Sequence, residues 1–256
     1  MTISTIIVHY RTARLLEACL TSLTVATRGI KSEVILVDNS PGLIDQHLIA
    51  QTTYIANPLN AGYAQAANQG IEVARGEFLL FLNPDTLVHP DGVRALLHAA
   101  RIIPALGCAG GRLITPRGTA TSAFPFLRAR ETRWWPVIQR LRPLAPSLRI
   151  NRYKKICEKA SGWVEIDGNL SGAALLVPRW VAQKIGPFDP RFTHFGTEHV
   201  WQGRMARLGL KRVFVPQAHF FHYEAASVRE NPNAVKLEVQ ASRRLFLEEF
   251  KKSARF

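Results

Sequence analysis

A carboxylate stands directly after a short, strongly apolar run of the chain. Residues 78–82 read FLLFL, and the sequence NPDT at 83–86 ends the run abruptly. Continuous apolar runs of this length are typical of parallel strands covered on both faces. Asp85 is therefore predicted at the carboxyl end of a strand, the edge where open α/β sheets bind ligands.

The side chains around Asp85 favour a divalent cation. The carboxylate stands beside an amide at Asn83 and a hydroxyl at Thr86. Such hard oxygens suit Mg²⁺ or Mn²⁺ carrying a diphosphate. An aspartate that only caps the end of the strand is the alternative.

A second carboxylate, Asp38, ends an earlier strand-like run at residues 33–37. Parallel strands place their carboxyl ends at one edge, so Asp38 and Asp85 are predicted to share it. A carboxylate accepts hydrogen bonds from a pyrimidine imide or a ribose hydroxyl, which suits Asp38 to a nucleoside. An Asx turn before Pro41-Gly42 is the alternative. Three further candidates for the same ligand lie between the two carboxylates: Asn60, Gly62 and Asn68.

Strand-like and helix-like segments alternate through the first half of the chain. Apolar residues recur at helical spacing in residues 12–26 and 64–74, and β-rich runs precede and follow them. The predicted strands cover residues 3–9, 33–37, 53–56 and 78–82. This alternation predicts an α/β fold with a mostly parallel sheet flanked by helices.

A second chemical cluster begins at Glu198, before a helix predicted over residues 200–208. A glutamate at a helix start complements the helix dipole, and it equally suits a general base facing the sheet edge. Trp201 on the same helix suits either stacking on a sugar face or packing in the core.

Composition indicates an ordinary globular protein of one domain: 256 residues with 47% hydrophobic content. No apolar run reaches the roughly 18 residues needed to span a bilayer, and a cytoplasmic location is expected. Three widely spaced cysteines support neither a disulfide framework nor a zinc cluster. The net charge of +14 indicates an anionic partner, either phosphate-bearing substrates, a membrane or nucleic acid. Nucleic acid is disfavoured because zinc-finger and aromatic RNA-binding signatures are absent from the sequence.

Two basic segments predict contact with an anionic membrane surface. Residues 128–159 mix arginines and lysines with Trp134 and Trp135, and residues 243–252 place Leu245, Phe246 and Phe250 on one helical stripe. Tryptophan suits the headgroup level, and basic side chains meet anionic lipid. An insertion packed on the core is the alternative for the first segment.

Several motifs together resemble those of family 2 glycosyltransferases of the GT-A fold, and most closely those of bacterial rhamnosyltransferases that build surface polysaccharides. The motifs are IIVHYRTARLLEACLTSL, VDNS, NAGYAQAANQGI, FLLFLNPDT, DGNLSGAALLV, GPFDPRF and VPQAHFFHYEAAS. The resemblance covers about residues 2–227. It implies a GT-A domain over 1–227, with a nucleotide-sugar-binding half (1–115), a basic excursion (116–162), an acceptor and catalytic half (163–227) and a basic helical tail (228–256).

The resemblance also implies roles for single residues. Asp38 would contact the nucleobase, and Asn83 and Asp85 would bind ribose and metal. His222 would approach the metal or the diphosphate. The base position of the family falls on Glu198, which is one methylene longer than the usual aspartate, and His199 is the fallback base. Thr197 and Val200 replace two other acidic residues of the family pattern.

The mechanism implied is an inverting displacement at the anomeric carbon, with Mg²⁺ or Mn²⁺ neutralising the leaving diphosphate. The donor is a nucleotide sugar, such as dTDP-rhamnose, and the acceptor is a glycan or a polyprenyl-diphosphate-linked sugar. The enzyme would work as a peripheral protein on the inner face of the membrane. Two alternatives remain from the sequence: a catalytically impaired nucleotide-sugar-binding member of the family, and a basic nucleic-acid-binding protein.

Overall fold

Strands and helices alternate from residue 2 to residue 82, and strands follow one another directly at several later points. The computed structural model describes residues 2–116, 118, 122–125, 149–192 and 196–223. The strands are β1 Thr2–His9, β2 Lys31–Asp38, β3 Thr53–Ala56, β4 Phe78–Leu82, β5 Thr86–Val88, β6 Leu106–Ile114, β7 Ala123–Pro125, β8 Val164–Glu165, β9 Gly168–Leu170, β10 Ala174–Pro178 and β11 Lys211–His222. The helices are α1 Ala13–Ala26, α2 Gln46–Ile49, α3 Tyr63–Val73, α4 Gly92–Ile102, α5 Arg149–Lys159, α6 Arg179–Ile185 and α7 Thr197–Arg207.

One mixed sheet organises the molecule, with the strand order β3-β2-β1-β4-β10-β6-β11-β5, and β8 also pairs with β11. The first four strands are parallel to one another, as are β6 and β11. Antiparallel β10 lies between these two blocks, and antiparallel β5 pairs with the end of β11. The predicted mostly parallel sheet with flanking helices is confirmed.

The pairing of β10 with β4 joins the parallel block β1–β4 to the rest of the sheet beside the turn that carries Asp85. Ala174 pairs with Leu82, and the amide of Asn83 donates to the carbonyl of Ala173 at 3.0 Å. The turn that carries Asp85 therefore lies against the turn that precedes β10.

The end of β11 returns to the same turn through β5, a strand that the sequence analysis missed. His222 pairs with Thr86, and the amide of Tyr223 donates to the carbonyl of Asp85 at 3.0 Å. This pairing brings His222 from the far end of the chain beside Asp85.

Alternate side chains of the central strands fill two apolar layers. Ile3 and Ile7 of β1 face α1 and α4, whereas Ile6 faces α3 and α7. This division follows from the two-residue period of a strand. Helix α7 begins at Thr197, three residues before the predicted start, so Glu198 lies in its first turn.

Part of the basic excursion packs on the core. Helix α5 buries Tyr153 and Cys157, which are 5% and 1% exposed. This helix thus matches the alternative of a packed insertion. Trp134, Trp135 and the tail at 228–256 lie outside the described residues. Among the described helices, none has the length and apolar character needed to cross a membrane.

Replacing Phe188 by alanine is predicted to destabilise the fold by about 3–5 kcal/mol, because it removes a fully buried ring. Phe188 is 1% exposed and stacks on Trp201 with centroids 4.1 Å apart. Urea unfolding measures the loss. The control Leu59→Ala, at a position that is 81% exposed, should stay within about 0.5 kcal/mol. Equal effects of the two changes would contradict this packing.

Candidate active site

A cleft opens at the carboxyl edge of the sheet, where β1, β2 and β4 end. Five predicted site residues line it: Asn60, Asn83, Asp85, Glu198 and His222. They come from four separate parts of the chain, so the fold gathers them.

Asp85 and His222 form the centre of the cleft floor. His222 Nε2 lies 3.2 Å from Asp85 Oδ1 and 3.3 Å from Asn83 Nδ2. One ring nitrogen cannot both accept from an amide N–H and donate to a carboxylate at the same moment. A divalent cation between neutral Nε2 and Oδ1 would suit both atoms, since carboxylate oxygen and imidazole are ligands of such ions. The donor set thus fits the predicted Mg²⁺ or Mn²⁺.

The described residues supply only part of a complete metal shell. Among them, no group of three or more histidine, cysteine, aspartate or glutamate residues is placed to hold a metal ion. A cation on Asp85 and His222 would therefore take further ligands from outside this set, and the oxygens of a bound diphosphate have the right chemistry.

Asp38 lies behind the cleft and does not line it. Its side chain is fully buried; His9 Nδ1 lies 2.8 Å from Oδ1, and the hydroxyl of Tyr54 donates to Oδ2 at 2.8 Å. The backbone amide of Ser40 also donates to Oδ1. Burial by itself raises the pKa of Asp38, but these hydrogen bonds outweigh it and hold the pKa below its ordinary value. Asp38 is a fixed negative charge at neutral pH.

His9 links Asp38 to the wall of the cleft through a hydrogen bond at each ring nitrogen. Its Nε2 accepts the backbone N–H of Thr12 at 3.0 Å, which leaves the proton on Nδ1, facing Asp38. Thr12 lines the cleft. The buried pair therefore fixes the loop that follows β1.

Asn60 and Gly62 shape the loop before α3. Asn60 Oδ1 accepts the N–H of Gly62 at 3.0 Å, and Gly62 has a φ of 76°. A side chain at position 62 would be strained in this conformation.

Asn68 was predicted to contact the nucleotide sugar, but it hydrogen-bonds the backbone of Phe188 instead. Its amide group both donates to the carbonyl and accepts the N–H of Phe188, each at 2.8 Å. It does not line the cleft, and its carboxamide is committed to the backbone of the GPFDPRF turn.

Glu198 reaches into the cleft from the first turn of α7. Burial raises the pKa of its carboxyl group, while hydrogen bonds from its own amide and that of Gly172 lower it; the net shift is upward. A raised pKa makes the carboxylate a stronger proton acceptor. Nearby Tyr63 also lines the cleft, and burial together with the charge of Glu198 raises the pKa of its phenol, which stays neutral.

His199 and Trp201, on the same helix as Glu198, do not line the cleft. His199 is 8% exposed, and burial lowers its pKa to about 4, so the ring is neutral at pH 7. Trp201 is 1% exposed, stacks on Phe188 and donates from Nε1 to the carbonyl of Gly186. The core alternative for Trp201 is the one that the structure adopts, and its assignment as a sugar-stacking residue is corrected.

The cleft also contains residues that the sequence analysis did not single out. They are Val8, Tyr10, Thr12, Asn39 and Tyr63. Tyr10 and Thr12 follow β1 and Asn39 follows β2, so a position directly after a parallel strand was the available signal. Val8 and Tyr63 gave no comparable signal, because an apolar residue within a strand and an aromatic residue on a helix are ordinary core residues.

Comparison with known sequences decides the family. Residues 4–149, more than half of the 256-residue chain, match the family model described as "Glycosyl transferase family 2". The chain belongs to this family. The resemblance drawn from its motifs is confirmed, and the protein is a glycosyltransferase.

Two curated relatives extend over most of this glycosyltransferase. N-acetylglucosaminyl-diphospho-decaprenol L-rhamnosyltransferase of Mycobacterium tuberculosis is 29% identical over 244 residues, which cover 85% of this chain and 74% of the relative. The O-antigen biosynthesis protein RfbC of Myxococcus xanthus is 28% identical over 224 residues, covering 84% of this chain and 17% of that protein.

A solved structure confirms the fold. The crystal structure of GalNAc-T7 with UDP, GalNAc and Mn²⁺ matches with a TM-score of 0.61 at 17% identity, covering 87% of this chain and 43% of that one. This chain therefore spans less than half the length of that protein. The shared architecture is the GT-A fold that the motifs implied.

The variant Asp38→Asn is predicted to lose about 1–3 kcal/mol of stability at pH 7, because charge-assisted hydrogen bonds to a buried carboxylate are lost. Because the pKa of Asp38 is lower in the folded than in the unfolded protein, the ionised carboxylate stabilises the fold at pH values above its unfolded pKa, which is near 3.8. This stabilisation is lost as the pH falls through the folded pKa. Urea unfolding from pH 7 to pH 3 should show the variant and wild type converging in acid. Asp45→Asn, at an exposed position, serves as control. A difference that stays constant with pH would contradict this role.

Proposed function

We propose that this glycosyltransferase is an inverting, metal-dependent enzyme that moves a sugar from a nucleotide donor to a glycan or lipid-linked acceptor. One observation carries the proposal: the Asp85–His222 pair and Glu198 line the same cleft. A cation-binding pair and a separate, half-buried carboxylate match the two needs of the reaction, a stabilised leaving group and a proton acceptor.

Asp85 and His222 would hold Mg²⁺ or Mn²⁺. When bound, the cation neutralises the charge that develops on the leaving diphosphate. Asn83, whose amide lies 3.3 Å from His222 Nε2, would contact the ribose or help to orient the ring. Mn²⁺ accepts imidazole more readily than Mg²⁺ does, so the His222 contact favours Mn²⁺.

The nucleoside half of the donor would lie over the ends of β1 and β2. Asn39, Asn60 and Thr12 line this part of the cleft and offer hydrogen-bonding groups. Asp38 would contribute from behind, either by a contact that opens on donor binding or by holding the Thr12 loop through His9.

Glu198 would take the proton of the acceptor hydroxyl. The acceptor oxygen then forms its bond to the anomeric carbon as the bond from that carbon to the diphosphate oxygen breaks. Attack from the face opposite the diphosphate inverts the anomeric configuration. Burial, which raises the pKa of Glu198, strengthens it as a base.

The name of one relative supports a specific donor and acceptor for this proposal. The Mycobacterium tuberculosis relative is named for L-rhamnose transfer to N-acetylglucosaminyl-diphospho-decaprenol. A dTDP-rhamnose donor, a polyprenyl-diphosphate-linked acceptor and peripheral association with an anionic membrane are the corresponding proposals for this chain. The domain division proposed from the motifs, with a tail at 228–256, would serve this arrangement.

The variant Asp85→Ala is predicted to abolish the metal dependence of donor binding, because a methyl group cannot ligate a divalent cation. Calorimetry with dTDP-, UDP- and GDP-sugars, each with Mn²⁺, Mg²⁺ or a chelator, measures it. Asp45→Ala, an exposed aspartate away from the cleft, is the matched control. If Asp85→Ala keeps a wild-type metal dependence, Asp85 only caps the strand.

Glu198→Gln is predicted to lower turnover by roughly 10²-fold or more while donor affinity changes only a few-fold, since a positioned base is lost. Steady-state rates and donor calorimetry separate the two effects. His199→Ala tests the fallback base and should keep most of the turnover, because the ring does not line the cleft. Near-wild-type turnover in Glu198→Gln, with an inactive His199→Ala, would reassign the base.

A further inference from the structure

The carboxylate of Glu198 occupies space that exists because residue 172 is glycine. A Cβ built on Gly172 would lie 2.4 Å from Glu198 Oε1 and 2.9 Å from its Cγ. Both distances are below any normal contact between such atoms. The absence of a side chain at Gly172 therefore makes room for the carboxylate of Glu198.

The backbone around Gly172 is held on both sides. The carbonyl of Ala173 accepts the N–H of Asn83 at 3.0 Å, and the N–H of Ser171 donates to the carbonyl of Ser122 at 2.9 Å. Ala174 then enters the centre of the sheet in register with Leu82. A side chain at position 172 would therefore displace Glu198 rather than move the backbone.

The same turn reaches the other half of the cleft. Its bond to Asn83 fixes the start of the turn that carries Asp85, while Gly172 lies directly against the side chain of Glu198. The length of the residue-198 side chain matters at this point. Aspartate, which is one methylene shorter, would not reach the position that Oε1 of Glu198 takes beside Gly172.

We infer that Gly172 is a positioning residue that fits the active site to glutamate at position 198. The inference rests on the proposed role of Glu198 as the base. The missing side chain of Gly172 leaves room for the longer carboxylate and so sets where it lies in the cleft. The size of the side chain allowed at position 172 thus depends on the side chain at position 198, and the reverse also holds.

The test is a cycle of wild type, Gly172→Ala, Glu198→Asp and the double variant. A misplacement of about 1 Å can cost up to roughly 10²-fold in rate, so Gly172→Ala should lower kcat at least about 10-fold. The Kd of the donor should remain within a few-fold, because the donor contacts are elsewhere in the cleft. The shorter side chain of Glu198→Asp removes the closest contact, that with Oε1, so the double variant should turn over faster than Gly172→Ala alone.

Gly203→Ala is the matched control. Gly203 lies on α7, the helix that carries Glu198, and a Cβ there would meet nothing within 4 Å. This variant should keep the kcat of wild type. Thermal unfolding of the same proteins adds a readout that does not need activity: Glu198→Asp should raise the Tm of Gly172→Ala but not the Tm of wild type.

Two results would overturn the inference. One is wild-type kcat in Gly172→Ala together with an inactive Glu198→Gln, which leaves the base assignment standing and removes Gly172 from it. The other is an equal loss of kcat and Tm in Gly172→Ala and the double variant, which denies the steric coupling. Full turnover in Glu198→Gln would instead refute the proposed base itself.

Discussion

The antiparallel register of β10 on β4 holds the two chemical halves of the cleft at a fixed separation. β10 is the strand between the parallel block that carries Asp85 and the block formed by β6 and β11. Its pairing of Ala174 with Leu82 sets the Ala173–Asn83 bond just beyond the ladder. A slip of one residue would turn every side chain of β10 to the opposite face and move Gly172 away from Glu198. The site therefore depends on a backbone register more than on any single side chain.

Two carboxylates, buried Asp38 and half-buried Glu198, show how nearby hydrogen-bond donors decide whether a carboxylate has a lowered or a raised pKa. Burial raises the pKa of both Asp38 and Glu198. Asp38 receives bonds from His9, Tyr54 and the backbone of Ser40, and these reverse the shift. Glu198 receives bonds from two backbone amides, and burial prevails. The first carboxylate is consequently a structural charge, whereas the second is suited to accept a proton.

A cluster of three buried rings, Phe81, Phe188 and Trp201, fixes the position of the helix that carries Glu198. Trp201 on α7 stacks on Phe188, whose backbone is bonded in both directions to Asn68 of α3. Phe81 of β4 meets both rings edge to face, with centroids 5.4 Å and 5.5 Å away. The sheet, α3 and α7 are joined through these contacts. Asn68 and Trp201 thus serve the site by fixing α7 and the turn before it.

Periodicity and local composition by themselves determined three things: the mostly parallel sheet, which segments form strands and which form helices, and the positions of Asp38 and Asp85 at strand ends. These features are local, since apolar spacing and turn residues fix where an element begins and ends. The same patterns placed Glu198 at a helix start and left its role open. They gave no sign of β5, and the first turn of α7 was missed, because short elements take their stability from tertiary pairing.

 Only the tertiary structure decided which of the candidate site residues lie close together. His222 reaches Asp85 through the β5–β11 pairing, from 137 positions further along the chain. That separation is far beyond the reach of any local pattern. Asp38 and Trp201 are buried by neighbours distant in sequence, and Asn68 is turned to the backbone of Phe188. Local sequence specifies which groups a segment carries, but burial and hydrogen-bond partners depend on long-range packing, and these decide whether a polar group faces a ligand or the protein.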